Sequence, residues 1–332
     1  MTQKIVRFGI LGCGLIANFH ADALAQLENA RLIGVADAQP NAAKKFAESR
    51  GIKAYAGFDE MLKDPAVDAV CICTPSGFHF ENALQALHGK KHVVLEKPMA
   101  FTQAQAAQLE DAAAGSGCVL TVISQLRFSE DIRRVKALMD QNAFGKLVFC
   151  DLYMKYWRSA DYYAGSTWKG TRRFDGGGAL MNQGIHGVDL LLHLAGDAKV
   201  VYAKNRTCYH DIEVEDVSVA MLEFDSGATG VIEASTCAYP GFERRLEIIG
   251  TEGSVVLVEN NIEKLIIGEK TISSGNDLPV AGTASDPAAM SHYLHSLQLQ
   301  NFIDAVCGGE KLAVSAADGR RAVALIEQIY LY

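Results

Sequence analysis

No apolar run in the 332-residue chain reaches the roughly 18 residues that a membrane-spanning helix needs. There is no basic excess either: 31 Lys and Arg stand against 39 Asp and Glu, a net charge of −8. That balance favours solubility and argues against a general nucleic-acid surface. The first eight residues lack the basic-then-apolar layout of a secretory signal, so the chain is expected to stay in the cytoplasm. Cys13, Cys71, Cys73, Cys118, Cys150, Cys208, Cys237 and Cys307 show no pair-of-pairs metal spacing, and Cys71-Ile72-Cys73 is not a redox C-x-x-C. In a cytosolic protein all eight are read as small buried hydrophobic residues. No metal ion, nucleic acid or membrane is expected as a partner, and no internal repeat is visible.

Hydrophobic residues at 49% and charged residues at 21% suffice for a folded core. The length suggests about two domains. Strand-like runs at 5–11, 31–36, 69–73, 92–95 and 119–123 alternate with helical spacing at 15–27, 42–50, 81–88 and 103–114. Strands alternating with helices predict βαβ units and a doubly wound parallel sheet, with a boundary near residue 125. After a helix at 132–141 the pattern changes. Alternating runs at 146–156, 217–224, 228–237, 244–249, 254–259 and 262–267, with a turn at Asp225-Ser226-Gly227, predict an antiparallel sheet. Residues 126–332 are therefore expected to form an α+β domain, interrupted by one helix at 178–195 and closed by helices near 291–307 and 316–330. Residues 273–286 read as a loop of small residues.

The first strand runs into Gly12-Cys13-Gly14-Leu15-Ile16-Ala17, a G-x-G-x-x-A fingerprint at the start of a βαβ series. Gly12 suits a tight turn, Gly14 a close backbone approach to a pyrophosphate, and Ala17 close helix–strand packing. Leu15 and Ile16 open the helix whose N-terminal N–H groups would face the phosphates. Asp37 closes the second strand, where a carboxylate can bind adenosine ribose hydroxyls and repel a 2′-phosphate; capping of the next turn is the minor alternative. No arginine follows it closely, so NAD is favoured over NADP. Thr74-Pro75-Ser76 ends another parallel strand and should touch the cofactor. His79 either approaches the cofactor or serves the entry of the next helix.

Glu96-Lys97-Pro98 follows the strand at 92–95. A lysine at a strand end in the ligand crevice can hydrogen-bond a substrate hydroxyl and help its proton leave, and Lys97–Pro98 is a candidate cis peptide. From Gly176 to Gly196 there is no Lys, Arg or Glu. Read as a helix, this stretch puts Asn182, His186, Asp189 and His193 on one face. His186 is the best placed for proton transfer because histidine titrates near neutrality. A metal held by His186, Asp189 and His193 is the minor alternative. Trp168, Lys169, Arg172 and Arg173 form a basic cluster suited to an anionic substrate group or cofactor phosphates, and Tyr162, Tyr163 and Trp168 offer apolar faces to a sugar ring.

In these residues, in this order, the chain resembles the Gfo/Idh/MocA oxidoreductases over essentially its whole length. The resemblance implies a Rossmann domain at 1–125 and a substrate-binding and oligomerisation domain at 126–332, built on an open-faced, mostly antiparallel sheet that joins a homodimer or homotetramer. It implies NAD-dependent oxidation of a secondary alcohol on a sugar, cyclitol or sugar derivative, with Glu96, Lys97 and Trp168 among the cofactor contacts. Lys97 would be the catalytic lysine, His186 the acid/base group, and Asn182 their companion. Asn182 stands where many members carry Asp, and Ser76 where Asn is common; Asn182 would stabilise a protonated His186 less well and serve substrate hydrogen bonding instead. Some relatives retain NAD and cleave glycosides through transient oxidation, which is the alternative activity; a non-catalytic NAD-binding module is the third.

Overall fold

The computed structural model describes residues 4–272 and 292–332. The small-residue loop expected at 273–286 lies outside the described residues. Six strands, β1 (Val6–Leu11), β2 (Ala30–Ala36), β3 (Lys53–Ala54), β4 (Ala69–Ile72), β5 (His92–Leu95) and β6 (Leu120–Val122), form one sheet in the order 3-2-1-4-5-6. Every neighbouring pair is parallel, and this is the dinucleotide-binding order. Helices α1 (Leu15–Ala25), α2 (Pro40–Arg50), α3 (Phe58–Lys63), α4 (His79–His88) and α5 (Gln103–Ser116) provide the crossovers. The central strand β4, and β5 beyond its first residue His92, are apolar and buried because both faces are covered.

The second sheet has eight strands: β7 (Leu147–Lys155), β8 (Ala198–Arg206), β9 (Val217–Phe224), β10 (Thr229–Ser235), β11 (Arg245–Gly250), β12 (Gly253–Val258), β13 (Asn261–Ile267) and β14 (Lys270–Ile272). They run in the order 14-13-12-11-7-10-9-8. All pairs are antiparallel except β7 with β10. The remaining helices are α6 (Glu130–Asp140), α7 (Ala160–Ala164), α8 (Ile185–Ala195), α9 (Tyr293–Val306) and α10 (Ala316–Tyr330). In β9, Ser218, Ala220, Leu222 and Phe224 are buried while Val219, Met221 and Glu223 are exposed, so one face carries the core and the other faces outward.

The chain divides into two compact units, Met1–Gln125 with His292–Arg320, and Leu126–Ser291 with Arg321–Tyr332. The break after residue 125 matches the change in hydrophobic period. The segment after residue 291 goes to the first unit rather than continuing the second, and its side chains explain why. Phe302 of α9 packs its ring 6.1 Å from Phe8 of β1. Gln298 donates to Thr121 Oγ1 at 3.1 Å and to the Val122 carbonyl at 2.8 Å, and accepts from Ser124 N–H at 3.0 Å, so one amide side chain satisfies the end of β6.

Candidate active site

On the first unit, β1 delivers the chain to Gly12, whose φ of +91° is open to glycine alone at little cost; a Cβ there would lie 2.7 Å from the Cys73 carbonyl oxygen. Gly14 caps α1 without any side-chain acceptor, the first turn carries no acidic residue, and a Cβ on Gly14 would meet nothing within 4 Å. The N–H groups of this turn are thus left for an outside anion, and there is room for one. These residues fit the pyrophosphate of a dinucleotide. Leu15 beside them is 64% exposed. Asp37 accepts from Cys13 N–H and from Gln39 N–H, both at 2.7 Å. It therefore braces the glycine turn and caps the turn after β2.

Thr74 and Pro75 are half-buried at the end of β4, and the buried Ser76 begins a short 3-10 turn leading into α4. His79 is 2% exposed, with Nδ1 2.7 Å from the Pro98 carbonyl and Nε2 2.8 Å from the Thr74 carbonyl, two acceptors of which a neutral ring donates to one at a time. Its place is at the helix entry, between the ends of two strands. Burial, the largest effect, lowers the pKa of His79 against the pull of the two carbonyls. Lys97 is half-buried directly after β5 and Glu96, and the Lys97–Pro98 peptide is cis. Glu96 is buried, accepting from His20.

On the second unit, the expected single helix at 178–195 is two elements. Ala179–Gly184 is a π-helix, and α8 follows it. The wide first turn is held by Glu215, which accepts from Gly178 N–H and Leu180 N–H at 2.9 Å and from Tyr330 Oη at 2.7 Å. Burial raises the Glu215 carboxyl pKa, opposed by those donors. Gly178 is required because a Cβ would lie 2.0 Å from the Glu215 carbonyl. Asp189 pairs with Arg127 through two contacts of 2.8 and 2.6 Å, both side chains being buried. Asn182 donates to Asp175 at 2.5 Å, and Asp175 also accepts from Gly170 N–H at 2.8 Å. His186 and His193 are half-buried.

Nearby, Gln183 receives Arg158 at 2.8 Å and donates to Tyr162 Oη at 2.9 Å. The Lys169 ammonium sits 3.6 Å from the centre of the Tyr162 ring. Burial lowers the Lys169 pKa, with the Asp175 carboxylate acting against it. Trp168 is half-buried, its carbonyl accepting from Thr171 Oγ1 at 2.6 Å, while Arg172 and Arg173 are exposed. Sequence reasoning missed Asp175, Glu215 and His20. The signal for His20 was an imidazole among Ala17, Ala21 and Leu24, the buried side of α1. The cysteine reading also needs correction: Cys71, Cys73 and Cys150 are buried, but Cys208 and Cys307 are exposed, both outside the apolar face of a strand or helix.

Residues 6–124 match the family model described as oxidoreductase family, NAD-binding Rossmann fold, and residues 132–256 match the Gfo/Idh/MocA C-terminal domain model. Myo-inositol 2-dehydrogenase of Thermotoga maritima is 26% identical, covering 96% of this chain and 94% of its own. The NAD-dependent scyllo-inositol 2-dehydrogenase of Bacillus subtilis is 27% identical over 94% of this chain and 90% of its own. Among solved structures, the WlbA dehydrogenase of Bordetella pertussis, in complex with NADH and UDP-GlcNAcA, superposes with a TM-score of 0.85 at 30% identity, covering 99% of this chain and 96% of that one. With both of its domain models matched and the sheet order, glycine turn and strand-end lysine in place, this chain belongs to the Gfo/Idh/MocA family of oxidoreductases.

Proposed function

We propose that this protein is an NAD-dependent dehydrogenase that oxidises a secondary alcohol of a sugar, cyclitol or sugar derivative to a ketone. The observation that carries the reading is the uncapped N-terminus of α1 beyond Gly12 and Gly14, with open space at Gly14, on a sheet whose next strand ends carry Thr74 and Lys97. The names of the inositol dehydrogenases and of the sugar-nucleotide complex support the substrate class.

Gly12, Gly14, Leu15 and Ile16 are assigned to the pyrophosphate, Asp37 to the adenosine ribose, and Thr74, Pro75, Ser76, Glu96, Lys97 and Trp168 to the remaining cofactor environment. Bound NAD supplies the hydride acceptor. Lys97 is assigned to the substrate hydroxyl, whose proton it helps to remove as the C–H bond breaks. His186 is assigned the transfer of that proton onward. The Asn182 NH2 group donates to Asp175, so a carboxylate stands one hydrogen bond behind the position where an aspartate is common. We assign Asn182 to substrate hydrogen bonding rather than to charge stabilisation.

The exposed sheet face supports association. Tyr202, Met221 and Val231 are aligned across β8, β9 and β10, and Tyr202 and Met221 are 53% and 45% exposed. Val219 on β9 and Phe149 on β7 add to the patch. We assign this face to a second copy of the chain, in a homodimer or homotetramer located in the cytoplasm. Among the described residues no helix is long and apolar enough to cross a membrane.

The test is NADH formation by purified protein given NAD and a panel of cyclitols, aldoses, glycosides and nucleotide sugars, beside Lys97→Ala. The expected result is NADH with one class, and a variant that binds NAD normally but turns over at least about a hundredfold slower. Glycoside cleavage without net NADH, or full activity in Lys97→Ala, refutes the assignment.

A further inference from the structure

Beneath the Lys97 turn lies a buried group of three ionisable side chains that the reaction does not use directly. His20 on α1, Glu96 after β5 and His295 on α9 are 0%, 6% and 1% exposed, and one nitrogen of each ring and one carboxylate oxygen lie within 4.8 Å of one another. Two ligand atoms on one tetrahedral zinc ion stand roughly 3.4 Å apart. His20 Nε2 and Glu96 Oε1 are 2.7 Å apart, the spacing of a charge-assisted hydrogen bond, so the group is built as an ion pair with a third ring beside it. The second Glu96 oxygen, Oε2, accepts the backbone N–H of Lys97 at 3.3 Å.

We propose that His20 is a positioning residue: by holding the Glu96 carboxylate it fixes the backbone from which Lys97 projects, and ties that turn to the helix that begins at the dinucleotide-binding glycines. The inference rests on the assignment of Lys97 to the substrate hydroxyl. His20 lies six residues, roughly one and two-thirds helical turns, beyond Gly14 on the buried side of α1, so a single side chain links the cofactor turn to the lysine turn. From the other side, His79 holds the Pro98 carbonyl at 2.7 Å. The two residues flanking Lys97 are thus each gripped by a buried imidazole. His295 meets the His20 ring edge-on at 5.7 Å and backs it with a ring of similar size. A lysine that must meet a hydroxyl within hydrogen-bonding distance depends on such bracing, because a misplacement of about 1 Å costs on the order of a hundredfold in rate.

The state of the group agrees with this role. Burial opposes the charge of His20, but the thiol groups of Cys73 and Cys71 and the Glu96 carboxylate overcome it and raise the His20 pKa well above its ordinary value. Burial likewise pushes the Glu96 carboxyl up, and the hydrogen bond and charge of His20 bring it down to about 2. Both shifts favour the charged form of the pair, in which the bond is stronger.

The experiment compares His20→Leu, which removes the donor, with His20→Gln, which keeps an N–H donor, and with Lys97→Ala. Hydrogen-exchange mass spectrometry with fragmentation to single residues reads the Lys97 amide without any substrate. Exchange is expected to rise about tenfold or more in His20→Leu and to return to within about threefold of the parent in His20→Gln. With NAD and the panel alcohol that the parent oxidises fastest, His20→Leu should lower kcat at least about tenfold with KM within about threefold, and His20→Gln should recover most of the loss. A parental Lys97 amide in His20→Leu overturns the proposal, as does a parental kcat there while Lys97→Ala is inactive, an outcome that leaves the role of Lys97 standing. Full activity in Lys97→Ala overturns both. If His20→Leu does not fold, the same criteria apply to Glu96→Gln, which leaves one acceptor oxygen for two donors.

Discussion

His295 should make the stability of the protein depend on pH below neutrality. The ring is 1% exposed, edge-on to His20 at 5.7 Å and tilted against Phe19 at 6.2 Å. Burial, and after it the charge of His20, lowers its pKa from 6.5 to about 4. A folded pKa below the unfolded one means that the fold holds the neutral ring. The contribution is full above the unfolded pKa and is lost as pH falls towards the folded one. Between pH 6.5 and about 5 the loss is about 1.4 kcal/mol per pH unit, or about 2 kcal/mol. His20 has the opposite sign: its raised pKa stabilises fully below 6.5 and the benefit fades as pH rises beyond that. The two effects occupy adjoining ranges, so together they give the parent curve a maximum near pH 6.5. His295→Phe keeps a ring of similar volume and removes only the first effect. Urea unfolding of parent and variant across pH 5 to 8 isolates it as a difference. The parent should lose about 2 kcal/mol relative to the variant from pH 6.5 down to about 5, with no change in the gap above about 7. A gap that stays constant with pH refutes the assignment of a neutral, buried His295.

Two more substitutions probe the cofactor turn and the sheet. Asp37→Ala removes an acceptor for Cys13 N–H, Gln39 N–H and the proposed ribose hydroxyls, and should weaken NAD binding about tenfold to a hundredfold in a fluorescence titration. NADP should weaken much less, because the same change also removes repulsion of its 2′-phosphate; equal losses refute the ribose assignment. Met221→Asp places a charge in the middle of the exposed row formed with Tyr202 and Val231. Sedimentation velocity should show the variant as a smaller species with NAD affinity unchanged, and a parental sedimentation coefficient would remove this face from the interface.

What could be read from the chain follows the range of the forces involved. The parallel sheet was legible because each strand is a short apolar run ending in a turn whose residues are special for local reasons: Gly12 for its φ, Pro98 for its ring. The strands β9, β10 and β11 were legible because alternate residues are buried. Strand β8 was not foreseen, since along Ala198–Arg206 only Ala203 is fully buried and Lys199, Lys204 and Arg206 read as loop. Nor were β3 and β14, of two and three residues, or the short helices α3 and α7, which are too brief for any periodicity to show.

What the sequence left unseen at the site has a common physical origin. The 178–195 segment is apolar all round, so helical spacing alone put four polar residues on one face. The true geometry is set by Glu215, whose carboxylate takes up N–H groups at the start of the segment and widens its first turn, and by Arg127, which claims Asp189. Neither partner is near in sequence, and neither is marked by a motif. The same holds for His20, Glu96 and His295, which come from three separated segments and meet only because α9 packs on α1 and places Gln298 against β6. Motifs announce the atoms that meet a cofactor, because backbone geometry at those points is restrictive. The side chains that hold those atoms still are chosen by burial and pairing across the fold. They become visible only when a buried charge is asked where its counter-charge lies. Applied to Glu96, that question leads to His20, and from His20 back to the turn that carries Lys97.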